Sequence, residues 1–151
     1  MKHIFVDFEG FKEWIEADEE GYALRQITVD GKNTLVSCRD NCLAEGIVDT
    51  ENDCVKISEN DFENVWINAT EKFRQIWNTE KQKYMIGQNV SGLIRYFYPQ
   101  GAIIDINKIQ GCVDIGHLNF GLLYSGKEIS GTISGFDDTN MWLLIDCCRI
   151  D

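Results

Sequence analysis

The hydrophobic pattern changes from the helical period to short alternating runs near Tyr84, and this constrains the fold more than any other feature. Before it, Phe62, Val65, Trp66, Ala69, Phe73, Ile76 and Trp77 recur at spacings of three and four, which marks one face of a helix. After it, the short runs NVSGLIRYFY, AIIDI, GCVDI, EISGTISGF and MWLLIDCC follow one another, separated by glycine-containing turns. Five strands this short suit a small closed barrel, because closure leaves no strand edge exposed. One longer connection, GHLNFGLLYSGK at residues 116–127, interrupts the rhythm and has room for a turn of helix between the third and fourth strands.

The helical pattern predicts a helix over residues 59–80. Ser58 is its N-cap, and Glu59, Asp61 and Glu63 fall in the first turn, where negative charge suits the helix dipole. The Trp and Phe stripe reads as a core face. Upstream, YALRQITVDGKNTLVSC holds two β-prone runs around Asp30-Gly31, a hairpin signal, and ADEEG at 17–21 is a candidate turn. Residues 8–17 stay open between strand and short amphipathic helix, since Phe8, Phe11, Trp14 and Ile15 fit both. The expected organisation is an acidic α+β module over 1–80, ending in the long helix, and an all-β five-stranded barrel over 81–151.

Charge separates the same two regions. Residues 1–80 carry 8 basic and 18 acidic side chains, whereas residues 81–151 carry 6 and 7. The first region should repel phosphate backbones and the second is only permissive toward them. HIFVDF near the start is too short for a membrane span and acidic residues follow it, so the expected setting is cytoplasmic. In that setting the six cysteines are expected mostly as reduced thiols, with no structural metal: CRDNC and Cys54 supply three ligands, and the only histidines are His3 and His117. No cofactor is expected.

The succession GQNVSGLI, YPQGAIIDI, IQGCVDI and SGKEISGTISGFD resembles the ribosomal S1 RNA-binding domain family, a five-stranded OB-fold, over nearly all of residues 85–146. The matching positions are Gly87, Val90, Gly92 and Ile94, then Gly101, Ala102, Ile104, Asp105 and Ile106, then Gly111, Val113 and Ile115. Gly126, Ile129, Ile133, Phe136 and Asp137 complete the series. The residues agree with a coiled barrel on their own terms. Gly92 and Gly131 sit inside strands, where glycine marks a bend or bulge, and Ile104, Ile106, Val113 and Ile115 alternate as interior positions should.

The resemblance implies RNA binding, but the usual ligand positions depart from the family pattern. Where members carry two aromatics and a histidine, this chain has Gln100, Ile103 and Asp114. Arg95, Tyr96, Tyr98, Lys108 and His117 remain as candidate nucleic-acid-binding residues, the aromatics for stacking and the cations for phosphate. The same aromatics fit equally as groups packed against the barrel or the helix.

Two functions follow as expectations. One is a non-enzymatic, weakly binding S1-like module for single-stranded RNA. The other is an interaction adaptor, or an acidic inhibitor of the immunity type, whose barrel has lost its nucleic-acid face and which meets a basic protein partner. An enzyme is not expected, because the sequence holds no nucleophile with a partnered base, no phosphate-binding glycine loop and no full metal-ligand set.

Overall fold

The computed structural model describes residues 1–116 and 120–150, with the side chains of residue 120 and residues 147–150 outside that description. It is a mostly β fold that divides into two compact units, Met1–Lys72 and Phe73–Asp151. The one α-helix among the described residues, α1 (Glu59–Glu80), begins in the first unit and ends in the second. Ser58 caps it: its Oγ accepts the Asp61 backbone N–H at 3.0 Å, and Glu59 and Asp61 lie in the first turn.

The first unit is built on a five-stranded antiparallel sheet in the order β4-β3-β2-β1-β5. The strands are β1 (Lys2–Phe8), β2 (Phe11–Ala17), β3 (Ala23–Asp30), β4 (Asn33–Val36) and the short β5 (Val55–Lys56). Residues 8–17, ambiguous by period, thus form the turn of a hairpin and a strand. Pairing decides it: Ile4 lies opposite Ile15 and Phe5 opposite Trp14, so both faces of β2 are matched across the ladder. Asp18 holds the following turn by accepting the N–H groups of Glu20 and Tyr22 through Oδ1.

Period-two alternation gives that sheet two covered faces. On one, His3, Glu16 and Arg25 stand in a row beneath Phe62, Glu63 and Trp66 of α1, with the Arg25 guanidinium 5.0 Å and 5.1 Å from the two aromatic rings. On the other, the row Ile4, Ile15 and Gln26 is buried. There the Ala44 N–H donates to Gln26 Oε1 at 2.8 Å, and Leu43 is buried.

The second unit holds a closed five-stranded barrel, order β10-β8-β7-β6-β9, made of β6 (Asn89–Tyr98), β7 (Gly101–Ile106), β8 (Ile109–Asp114), β9 (Glu128–Asp137) and β10 (Trp142–Ile150). All pairs are antiparallel except β8 with β10. Ile94, Ile104, Val113, Ile133, Leu143 and Ile145 form its fully buried core. The strands coil tightly at Gly92 and Gly131, where a Cβ would lie 2.2 Å from Asp105 O and 2.3 Å from Asp146 O, so only glycine lets the backbones approach this closely. The last turns of α1 pack on this barrel. Trp77 is buried edge-on against Phe136 and donates its indole N–H to Asp138 Oδ1 at 2.7 Å. A 3₁₀ turn, Phe120–Leu122, lies in the connection between β8 and β9.

Candidate functional site

Strand β6 carries three of the predicted site residues on its C-terminal half. A bulge between Ile94 and Tyr96 shifts the register there, so that Tyr96 lies opposite Ile103 and Tyr98 opposite Gly101. With the barrel interior claimed by Ile94 and Ile104, Tyr96, Tyr98 and Ile103 fall on the outward side of the barrel wall. Tyr96 and Tyr98 are brought together, ring centroids 4.9 Å apart, and Tyr98 continues to Trp142 at 6.2 Å. Tyr98 and Trp142 are nonetheless buried, 9% and 1% exposed, so the cluster is packed onto the barrel wall more than it is presented to solvent. Tyr96 is the more open of the two tyrosines.

Both described cations of the predicted site face carboxylates. Arg95 Nη1 donates to Asp105 Oδ2 at 3.0 Å, and Lys108 Nζ lies 3.7 Å from Glu80 Oε1. Both lysine and arginine heads are well exposed, so these pairs contribute little stability, but each lowers the local positive potential. Lys108 sits in the β7–β8 turn, at the opposite end of β7 from Tyr98, roughly 20 Å away by strand rise. Arg95, Tyr96 and Tyr98 form one neighbourhood and Lys108 another; His117 lies outside the described residues.

The three positions that depart from the S1 pattern are also placed. Gln100 is half-buried in the β6–β7 turn, and Ile103 is fully buried opposite both Tyr96 and Cys112. Asp114 is exposed at the end of β8, its Oδ1 accepting the Gly116 N–H at 3.0 Å.

Two clefts open on this outer surface. One, of about 280 Å³, is lined by Asp114, Asp137 and Asp146 with Cys112, Trp142 and Leu144 among its walls, and no basic side chain lines it among the described residues. The other, of about 330 Å³, has Arg95 between Asp105 and Glu128. Asp137 is fixed by the β9–β10 turn, accepting the N–H groups of Thr139 and Asn140 at 3.0 Å each. Burial pushes the Cys112 thiol up to about 12, with the charges of Asp137 and Asp114 adding to the effect, so it stays protonated and is a poor nucleophile.

Trp142, Gln110 and Asp137 were not among the predicted site residues. Gln110 joins Tyr96 to Asp105, contacting the Tyr96 hydroxyl at 3.5 Å and Asp105 Oδ1 at 3.4 Å. The alternation of β8 and β10 carries the missing signal: Gln110, Cys112 and Asp114, like Trp142, Leu144 and Asp146, share the outward parity. In the first unit a further cavity of about 530 Å³ is lined by Lys2, His3, Thr50, Glu51, Lys56 and Glu59 among others, a mixed set in which Lys56 pairs with Glu51 at 3.0 Å.

Cys38, Cys42, Cys54 and Cys112 are thiols outside any disulfide, and no group of three or more metal-ligating side chains occurs among the described residues. No described helix is long and apolar enough to cross a membrane. Compared with known proteins, the chain matches no family model and no curated sequence.

Proposed function

We propose that the protein is a non-enzymatic binding module, built on an S1-like OB barrel, that engages a basic protein partner as an adaptor or acidic inhibitor. The closed five-stranded barrel is compatible with that fold assignment. The observation that carries the functional reading is the charge of the barrel's outer clefts. Asp114, Asp137 and Asp146 line one, and Asp105 and Glu128 flank the single arginine of the other. A phosphate backbone approaching this face meets carboxylates, whereas a lysine or arginine side chain is attracted to them. The formal net charge of -11 extends the same preference over the whole molecule.

Single-stranded RNA is the competing ligand, and one experiment separates the two. Fluorescence anisotropy is measured with a labelled single-stranded RNA and with a short labelled peptide alternating lysine and leucine, each at low and moderate salt. The proposal expects the peptide to bind more tightly than the RNA at both salt concentrations. RNA binding that exceeds peptide binding, and that is weakened by Arg95→Ala and Tyr96→Ala, would replace it with the nucleic-acid reading.

A further inference from the structure

The β1–β2 hairpin closes through Glu9 and Gly10, both with positive φ, +53° and +84°. Such two-residue turns favour Asn, Asp or Gly at the first of these positions, because a longer side chain is strained in the left-handed region. A glutamate held there, exposed at the tip of a hairpin, gives up stability to place a carboxylate. On either side stand Phe8 and Phe11, paired across the turn and 67% and 39% exposed. Register places Val6, Glu13, Asp30 and Leu35 on the same sheet face. The Ile4, Ile15 and Gln26 row of that face is buried, with the Ala44 N–H bonded to Gln26, whereas the phenylalanine row is open.

We propose that this hairpin tip is a second surface on which the basic partner docks, besides the acidic clefts of the barrel, with Phe8 and Phe11 as apolar anchors and Glu9, Glu13 and Asp30 as a rim for lysine or arginine. The inference rests on the basic-partner reading above and adds a docking surface in the first unit. An exposed aromatic pair ringed by polar groups has the anatomy of an interface centre. The charged side chains at this end of the sheet are Asp7, Glu9, Glu13 and Asp30 against Lys12 and Lys32, and Lys12 points to the opposite face beside Asp7. A second copy of the chain would bring carboxylates against carboxylates, and nucleic acid would bring phosphate, so charge complementarity selects a cationic protein surface.

The test uses the full chain with the lysine–leucine peptide and its lysine–serine counterpart as probes, read by anisotropy and by chemical-shift mapping. The leucine peptide should bind more tightly than the serine peptide and shift Phe8, Glu9 and Phe11. Phe8→Ser with Phe11→Ser should weaken the leucine peptide about tenfold or more, with the melting temperature little changed. Glu9→Asn should weaken binding severalfold while raising the melting temperature, two opposite movements that a purely structural role for Glu9 would not produce. Peptide binding untouched by the tip variants but weakened by Asp114→Asn would overturn this location and leave the basic-partner reading intact. Binding of neither peptide at low salt would overturn both. Concentration-dependent dimerisation of the wild type that the phenylalanine variant abolishes would overturn the location in favour of a second copy.

Discussion

Replacing Arg25 with methionine should cost the first unit about 3–5 kcal/mol at neutral pH, the range for breaking a buried ion pair from one side. Arg25 is 6% exposed and its guanidinium donates to both oxygens of Glu16 at 2.8 Å and also to Glu63. Glu16 is 7% exposed, and without Arg25 its one remaining partner in this cluster is His3 Nε2 at 2.9 Å. Methionine retains contact with Phe62 and Trp66, so the loss is chiefly electrostatic.

The pH dependence separates this from a packing defect. Burial pushes the Glu16 carboxyl up, but the hydrogen bonds from Arg25 and then His3 outweigh it and hold the group below its ordinary 4.5. In the wild type Glu16 therefore contributes stability above that ordinary value, lost as pH falls through its lower folded value. In the variant burial prevails and the folded value rises, so the penalty is largest at neutral pH and shrinks as acid protonates Glu16. Urea denaturation followed by tryptophan fluorescence, at neutral pH and near pH 5, measures both. Glu16→Gln added to Arg25→Met should recover much of the loss. A cost below about 1 kcal/mol, the scale of a surface pair, or one that does not change between the two pH values, would refute the reasoning.

Gly92→Ala should destabilise the barrel by about 3 kcal/mol in thermal or chemical unfolding, since the added Cβ would meet Asp105 O at 2.2 Å and backbone cannot give way cheaply. Trp77→Phe should cost about 1–2 kcal/mol by removing the indole bond to Asp138, a bond to a charged but largely exposed carboxylate, and denaturation of Trp77→Phe with and without Asp138→Asn reads the coupling. Iodoacetamide mapped by mass spectrometry should label Cys54 before Cys38, Cys42 or Cys112, whose thiols burial pushes up to about 12 and which become reactive only on unfolding.

Local signals in this chain were legible because they act between near neighbours. The three-and-four spacing and the Ser58 cap mark α1 at Glu59–Glu80, and the glycine-separated runs after Tyr84 each become one strand of a closed barrel. The alternation of Ile104 and Ile106 with Val113 and Ile115 places all four inside. Residues 8–17 had no such resolution, since their apolar spacing satisfies both periods; the opposing residues of β1 and β3 made them a turn and a strand. The candidate site followed the same division. Tyr96 and Tyr98 are neighbours on one strand, and their parity was readable. That Tyr98 would be buried beside Trp142, that Arg95 would face Asp105, and that Lys108 would lie at the far end of β7 near Glu80 depended on the bulge after Ile94 and on barrel closure. Composition determined that the surface is acidic, but only the pairing of distant strands decided which carboxylates share a cleft, because register and closure, not separation along the chain, set which side chains meet.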